Sequence, residues 1–129
     1  SFTDGELKMI TEVDFESTVA LVVTVPADGG EETIIAAGRY VLYAPPNPLR
    51  SAEIAFTVEE DFQGKGIASR LLRHLTRIAR EKGVRQFEAE VLRENVSMLA
   101  VLARSGLPMK QSAEGSTLHA TLTLSAQAP

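Results

Sequence analysis

The stretch from Phe62 to Ser69 has the residue types of an anion-binding turn. It reads Phe-Gln-Gly-Lys-Gly-Ile-Ala-Ser and lies between an apolar run and a long helical pattern. Gly64 and Gly66 let backbone N–H groups approach a bulky ligand without an intervening Cβ. The first turn of the following helix leaves unpaired N–H donors, and its dipole favours anions. The stretch therefore predicts a phosphate-binding site. The same glycines also fit a tight turn at Gly64 and a close helix–sheet contact at Gly66.

Two other phosphate-binding motifs do not fit this stretch. A Walker loop needs four residues between its first glycine and a Gly-Lys-Ser/Thr, a spacing that the run Gly64 to Gly66 lacks. A dinucleotide fingerprint needs a third glycine where this chain has Ser69. Glu88 and Glu90 lie where a ribose-binding acid would fall. However, hairpin-like strands precede this unit, and 129 residues are too few for a doubly wound sheet.

Hydrophobic periodicity predicts the elements that position the turn. Alternating or continuous apolar runs indicate strands, and apolar residues at spacings of three and four indicate helices. The predicted strands are 18–25, 33–43, 52–58, 86–92 and 118–124, and the predicted helices are about 3–10, 65–82 and 95–104. The first two strands read as a hairpin, and a β-α-β crossover follows them. We expect an α+β fold with a mixed, mostly antiparallel sheet flanked by helices.

Length and composition limit the classes of function. The 129 residues fit a single domain spanning 1–129. There is no Cys, which excludes disulfides, thiolate metal sites and a Cys nucleophile. The net charge of −4 argues against a nucleic-acid partner, and no apolar run has the length of a membrane span. No signal peptide is recognisable, so we expect a cytoplasmic protein, and the first residue, Ser1, fits a piece of a longer chain.

The segment 63–68 resembles the Gln/Arg-x-x-Gly-x-Gly/Ala signature of the GNAT acetyltransferase superfamily. Three further features match in order: Glu53 near the start of the preceding strand, Asn95 at the start of the later helix, and Gly106 where the family has a Gly-Phe ending. More narrowly, the chain is similar to the GNAT domain of bacterial protein-lysine acetyltransferases. The strings that carry this narrower resemblance are 10–15, 20–22, 52–56 and 89–95.

The resemblance implies acetyl-CoA as the co-substrate, with no metal. In the family, the amides of the glycine loop bind the pyrophosphate of this co-substrate. The residues implied to bind it here are Phe56, Val58, Gln63, Gly64, Lys65, Gly66, Ile67, Ala68, Ser69 and Asn95. The resemblance also implies a GNAT-like fold that lacks the family's first strand and first helix. A second copy of the chain could cover the exposed end, which would give a homodimer.

The implied reaction is direct transfer of an acetyl group to a primary amine, either a small molecule or a protein lysine. The amine must lose a proton before it attacks, since its pKa is about 10.4. By resemblance Glu53 is the first candidate for the base and Glu90 the second, and either could instead be a solvated strand carboxylate. A main-chain N–H near Val58 would stabilise the oxyanion. The family is often fused to an acyl-CoA synthetase-like region, which makes such a region, fused or separate, an expected partner.

One departure from the family pattern leaves a second function open. The family's frequent Tyr in its last helix, which protonates the leaving thiolate, corresponds to Leu102. The alternative is therefore a non-catalytic, regulatory GNAT-like domain that binds an acyl-CoA. Heat stabilisation by CoA distinguishes both readings from a basic-helix nucleic-acid protein, and release of free thiol distinguishes the enzyme from the regulatory domain.

Several other features have simpler interpretations. The long helix carries a basic stripe opposite its leucines, which is interpreted as a solvated face; one or two of its arginines could reach the 3′-phosphate of CoA. The stripe consists of Arg70, Arg73, Arg77 and Arg80. His74 and His119 are isolated in the sequence and are interpreted as structural or exposed. The acidic trio 59–61 is interpreted as a polar turn rather than a Mg²⁺ site.

Overall fold

The computed structural model describes the backbone of residues 6–11 and the complete residues 17–124. The described residues form seven strands, two α-helices and two short 3₁₀ turns. In chain order these are β1 (Glu6–Thr11), β2 (Thr18–Pro26), a turn at Asp28–Gly30, β3 (Glu32–Leu42), β4 (Ser51–Val58), a turn at Glu60–Phe62, α1 (Ile67–Glu81), β5 (Gln86–Leu92), α2 (Val96–Ala103), β6 (Met109–Glu114) and β7 (Thr117–Thr123).

All seven strands belong to one sheet with the order β1-β2-β3-β4-β5-β7-β6. Every neighbouring pair is antiparallel except β4 and β5, which are parallel. The connection through α1 makes this pair parallel, because a crossover helix returns the chain to the same end of the sheet. The prediction of a mixed, mostly antiparallel sheet flanked by helices is confirmed. Within the described residues, no α-helix precedes α1, in line with the expected absence of the family's first helix.

The parallel pair is short and then opens. Ladder partners join β4 and β5 only from Ser51 with Gln86 to Glu53 with Glu88. Both strands continue well beyond this point, to Val58 in β4 and to Leu92 in β5. The side of β4 that faces β5 therefore presents backbone groups without a strand partner. A wedge-shaped opening forms in the middle of the sheet, directly before the glycine turn.

One face of the sheet packs against the helices and forms the core. Tyr40, Ile54 and Phe87 lie on this face together with the fully buried Leu71 and Leu75 of α1. The rings of Tyr40 and Phe87 contact each other, with centroids 5.6 Å apart. The opposite face is mixed, because strand residues alternate between the two faces: it carries the exposed Arg39 and also the buried Val22. In β4 this places the exposed Glu53 opposite buried neighbours, as the alternation of the sequence predicts.

Helix α1 spans Ile67–Glu81 and buries the apolar stripe that its sequence predicts. Gly83 follows the C-cap Lys82 and terminates the helix, since it adopts a positive φ of 81° without a Cβ penalty. Neither α-helix of the described residues combines the length and apolar composition that crossing a membrane requires.

The N-terminal helix predicted over about 3–10 is wrong where the structure describes it. Residues Glu6–Thr11 form β1, which pairs with β2 from Glu6 opposite Thr24 to Thr11 opposite Ala20. The helix was favoured by a residue pattern typical of a helix N-cap at the start of the chain. The alternation of Leu7 and Met9 with polar residues has the period of a strand. As a strand, the segment gains backbone hydrogen bonds with the edge of β2, whereas a short helix is only marginally stable by itself. Residues 1–5 lie outside the described part of the chain.

Strand β6 was not predicted. Its sequence, Met-Lys-Gln-Ser-Ala-Glu, is polar, and all of its residues after Met109 are exposed. It pairs along its whole length with β7 across the turn at Gly115, whose φ is 62°. Because an edge strand of this kind buries little, its backbone pairing leaves no hydrophobic pattern in the sequence.

Gly38 provides a test of the packing between the sheet and α1. A Cβ at this position would lie 2.8 Å from Cδ1 of Phe56 and 3.3 Å from Cδ1 of Leu75. We expect Gly38→Ala to lower the free energy of unfolding by about 1–3 kcal/mol, because the clash outweighs the entropic gain of replacing a strand glycine. Urea denaturation midpoints measure this loss.

The double variant Gly38→Ala/Phe56→Leu is the control. The smaller side chain relieves the contact, so the effect of Gly38→Ala should be less in this background than in the wild type. An unchanged midpoint in the single variant would contradict the packing described here.

Candidate active site

The glycine turn is anchored to the end of β4 by a side chain. Nε2 of Gln63 donates to the carbonyl oxygen of Val58 at 3.1 Å. Gly64 and Gly66 have φ values of 80° and 82°, and a Cβ at either would meet nothing within 4 Å. Both glycines therefore serve the left-handed backbone conformation of the turn. The alternative of a close helix–sheet contact at Gly66 is wrong.

A run of backbone N–H groups at the start of α1 has no acceptor in the protein. The first intrahelical bond runs from the N–H of Arg70 to the carbonyl of Gly66, at 3.1 Å. Among the described residues, no acceptor lies within hydrogen-bond range of the amides of residues 64–69. Gly66, at the N-cap, contributes no side-chain cap. These donors and the positive end of the helix dipole make the turn suitable for an anion such as a diphosphate.

A cavity of about 510 Å³ opens beside these amides. It is bounded by the second half of β4, the glycine turn, the start of α1 and residues along the whole of α2. All of the predicted cofactor residues line it except Lys65, whose side chain is exposed and whose contribution would come from its backbone amide. The lining residues predicted from the sequence are Phe56, Val58, Gln63, Gly64, Gly66, Ile67, Ala68, Ser69 and Asn95.

A second cavity, of about 300 Å³, lies in the opening between β4 and β5. Glu53 contributes to its wall from β4, and Glu90 contributes from β5. It shares Phe56, Asn95 and Met98 with the first cavity. The two cavities therefore adjoin, and a ligand that lies along β4 in the first can present one end to both carboxylates.

Asn95 has half of its side chain occupied. Its Oδ1 accepts from the backbone N–H of Met98 at 3.2 Å and from Oγ of Ser97 at 3.2 Å, which caps α2. Only the amide NH₂ group remains for a ligand in the cavities that Asn95 lines. Leu102, also from α2, is buried and lies in the wall of the second cavity. An aliphatic side chain there cannot supply a proton.

The two candidate bases have different surroundings. The side chain of Glu53 is exposed and makes no hydrogen bond or ion pair within the described residues. Glu90 contacts His119, with its Oε2 2.5 Å from Nδ1, while Nε2 of the same ring lies 2.8 Å from Oε1 of Glu88. The hydrogen bond from His119 lowers the pKa of Glu90. The hydrogen bonds to Glu90 and Glu88 outweigh desolvation and raise the pKa of His119.

The interpretation of His119 as an isolated residue is wrong, because both nitrogens of its ring contact carboxylates. His119 lies directly opposite Glu90 in the ladder between β5 and β7. The register between β5 and β7 is the one piece of information that would have predicted this contact. Tyr43 faces the same charges. Desolvation and the nearby Glu88, Glu53 and Glu90 raise the pKa of its phenol.

Part of the basic stripe borders a third cavity, of about 440 Å³, which runs along α1. Arg73, Arg77 and Arg80 line it, whereas Arg70 does not. This groove shares Ser69, Val101 and Arg104 with the cavity beside the glycine turn. His74 is a half-buried residue of α1, and burial and the neighbouring arginines lower its pKa.

Comparison with known sequences agrees with this geometry. A family model described as acetyltransferase (GNAT) family matches residues 4–107. The chain is 36% identical over 104 residues to acetyltransferase Pat of Mycolicibacterium smegmatis, which is 81% of this chain and 30% of that protein. It is 28% identical over 111 residues to acetyltransferase PA5475 of Pseudomonas aeruginosa, covering 86% of this chain and 58% of that protein. The chain thus spans less than two thirds of the length of each of these relatives.

Solved structures give the same result. The GNAT domain of S. lividans PAT superposes with a TM-score of 0.73 at 37% identity, covering 88% of this chain and 64% of that one. The cAMP-binding acyltransferase from Mycobacterium smegmatis gives 0.71 at 32% identity, covering 89% and 34%. Ribosomal-protein-S5-alanine acetyltransferase from Vibrio fischeri, at 17% identity and a TM-score of 0.70, shares the fold and covers 89% and 66%. By sequence and by structure alike, the chain belongs to the acetyltransferase (GNAT) family.

Proposed function

We propose that this domain transfers an acetyl group from acetyl-CoA to a primary amine by direct attack of the amine on the thioester. The observation that carries the proposal is the run of unpaired amides at residues 64–69, which opens into a cavity that adjoins a second one lined by two carboxylates. An anionic donor and a cationic acceptor would then meet between β4 and β5.

The diphosphate of CoA fits the amides of the glycine turn. The extended, amide-containing arm of CoA fits the edge of β4 beyond Glu53. Backbone groups there lack a strand partner and can pair with a ligand as they would with another strand. Phe56 and Val58 lie along this edge, and the free amide group of Asn95 faces it from α2. This placement would bring the thioester toward the second cavity.

Glu53 is the proposed base. An alkylammonium acceptor has a pKa of about 10.4 and is almost entirely protonated at neutral pH. One N–H bond of the ammonium breaks, and the proton passes to the Glu53 carboxylate directly or through a water molecule. The electron pair stays on nitrogen, which is then a nucleophile. Glu53 has a free carboxylate on the cavity wall, whereas Glu90 is hydrogen-bonded to His119.

The remaining steps need little further assistance from side chains. The amine nitrogen bonds to the carbonyl carbon, the C–S bond breaks, and sulfur departs with the electron pair. The nitrogen then gives up its second proton to water, which leaves a neutral amide. A thiol with a pKa of about 8.5 leaves as a thiolate at neutral pH without a strong general acid, so Leu102 is compatible with turnover. A main-chain N–H near Val58 would stabilise the charge on the carbonyl oxygen during the attack.

The acceptor that we propose is a protein lysine or a small primary amine. The chain covers only 30% of Pat from M. smegmatis, so proteins of this kind have length for further regions. An acyl-CoA synthetase-like region, fused or separate, is the partner that we propose. The competing function is a regulatory domain that binds an acyl-CoA without turnover, and Leu102 in the cavity wall is the observation that favours it.

Thermal denaturation and thiol release together test the proposal. CoA should raise the melting temperature, since a ligand that binds only the folded state stabilises it. Acetyl-CoA with Nα-acetyl-lysine amide should then release free thiol. Stabilisation without thiol release would support the regulatory domain, and the absence of both at millimolar CoA would overturn both functions.

The variant Glu53→Gln tests the base. We expect turnover to fall by at least about 100-fold, since general base catalysis contributes about this much. Stabilisation by CoA should not change, because Glu53 lies outside the cavity beside the glycine turn. Glu114→Gln is the matched control, an exposed strand glutamate that lines none of the three cavities. Unchanged turnover in Glu53→Gln would remove Glu53 from the mechanism.

The variant Arg73→Glu tests whether the groove along α1 holds the 3′-phosphate of CoA. We expect the Kd for CoA to rise about tenfold at low salt, because a charge reversal repels a phosphate in contact with it. The Kd for dephospho-CoA, which lacks this phosphate, should change little. Arg85→Glu makes the same charge change outside the three cavities and serves as the control. Equal effects of both variants on both ligands would indicate a solvated stripe.

A further inference from the structure

His119 occupies the centre of a hydrogen-bonded chain that crosses three strands. Its ring joins Glu90 at 2.5 Å and Glu88 at 2.8 Å, both from β5. Nε2 of Gln86 lies 3.4 Å from the other oxygen of Glu88 and donates to Oγ of Ser51 in β4 at 3.0 Å. Glu88 is therefore held at both oxygens, and through His119 it holds Glu90.

The contacts of His119 fit one protonation state. Each ring nitrogen faces a carboxylate oxygen, and an ionised carboxylate only accepts hydrogen bonds. The imidazolium donates from both nitrogens and satisfies both contacts. A neutral ring donates from one nitrogen only and would turn a lone pair toward the other carboxylate. The raised pKa of His119 and the lowered pKa of Glu90 agree with an ionic pair.

These contacts indicate different roles for Glu53 and Glu90 in the second cavity, which is where the proposed acceptor would bind and is called the acceptor cavity below. Glu90 is fixed in place and, with its pKa lowered, it is a weaker base than a free carboxylate. Glu53 faces the same cavity with no partner among the described side chains. A fixed anion suits binding and orienting a cation, and a free carboxylate suits taking a proton from it.

We infer that His119 is a positioning residue, which joins Glu88 and Glu90 into one unit and fixes the Glu90 carboxylate to bind the acceptor's ammonium group while Glu53 removes its proton. This inference rests on the proposed transfer to an amine. It assigns a role to His119 and Glu88, which do not line the acceptor cavity.

Other charged groups share the face of the sheet that carries His119. The ladder registers place Lys110, Ser112 and Glu114 of β6 on this face, with Ser112 directly opposite His119. Glu53 of β4, Arg39 of β3 and Tyr43 lie on the side of β5 away from β7, and Arg39 lines the same cavity as Glu53 and Glu90. The described groups within hydrogen-bond range of the ring nitrogens are Glu88 and Glu90, so these two carboxylates dominate its titration.

The sign of the pH dependence follows from these shifts. The pair is complete above the lowered pKa of Glu90 and below the raised pKa of His119. On the alkaline side it is lost as the pH rises through the pKa of His119, above the usual value of about 6.5. The acceptor stays protonated to about pH 10.4, so its own titration does not obscure this transition.

The test is His119→Ala, with His74→Ala on α1 as the control. We expect the KM for Nα-acetyl-lysine amide to rise about tenfold, as expected when a binding group loses its fixed orientation. The KM for acetyl-CoA should be unaffected. Loss of a positive charge would by itself lower the KM for a cationic acceptor, so the direction of the change is decisive. A lowered or unchanged KM would overturn the inference.

The pH profile gives a second readout. In the wild type, the KM for the amine should rise as the pH passes through the pKa of His119, and His119→Ala should lack this transition. A merely structural role for His119 would lower activity without removing a pH transition. Wild-type protein that releases no thiol would refute the proposed function, whereas active wild type with an unaltered His119→Ala profile would refute only this inference.

A pH titration monitored by NMR tests the link between His119 and Glu90 without requiring catalytic turnover. The chain has two histidines, so the imidazole signals of the His74→Ala variant belong to His119. We expect a pKa above about 6.5, which falls in the double variant His74→Ala/Glu90→Gln because the ionic partner is lost. A pKa at or below the usual value, or one indifferent to Glu90→Gln, would overturn the inference even if the enzyme is active.

Discussion

The parting of β4 from β5 after a few paired residues determines the rest of the site. Parallel neighbours normally continue their ladder, but here it ends at Glu53 and Glu88. The separation leaves one backbone edge of β4 available to a ligand, makes room for the two adjoining cavities, and places carboxylates on opposite walls of the second one. The crossover through α1 then directs the amide-rich start of that helix to the end of the same gap.

Charge is distributed along this gap in a way that the net charge of −4 does not reveal. At one end are the unpaired amides and the positive end of the α1 dipole, with arginines in the adjoining groove. At the other are Glu53 and Glu90, two carboxylates against one cation, Arg39, among the described residues that line the same cavity. An anion is favoured at the first end and a cation at the second. In the proposed reaction, this difference would place the anionic donor at one end of the gap and the cationic acceptor at the other. The field near the cavities thus matters more for binding than the whole-molecule charge.

The elements predicted well from the sequence are those in which burial of one face fixes the spacing of apolar residues along the chain. The two-sided burial of Val22 and Val23, the stripe of α1 and the alternation in β4 all leave clear patterns. The glycine turn was recognisable because a positive φ at Gly64 and Gly66 restricts the residue type. Strand β6 leaves no such signal, because all of its residues after Met109 are exposed. At β1 the cap signal in the sequence favours a helix where the chain forms a strand. The link between His119 and Glu90 depends on strand register, which long-range pairing decides and local sequence does not encode.

Leu102, buried at the wall of the second cavity, has a consequence for the choice of donor. In the proposed reaction this position gives no proton to the departing group, so that group must be stable as an anion on its own. A thiolate meets this requirement, and the far more basic alkoxide of an oxygen ester does not. The proposed reaction is then selective for thioesters over oxygen esters. The hydrocarbon side chain of Leu102 offers no proton, so only a leaving group that is stable as an anion can depart.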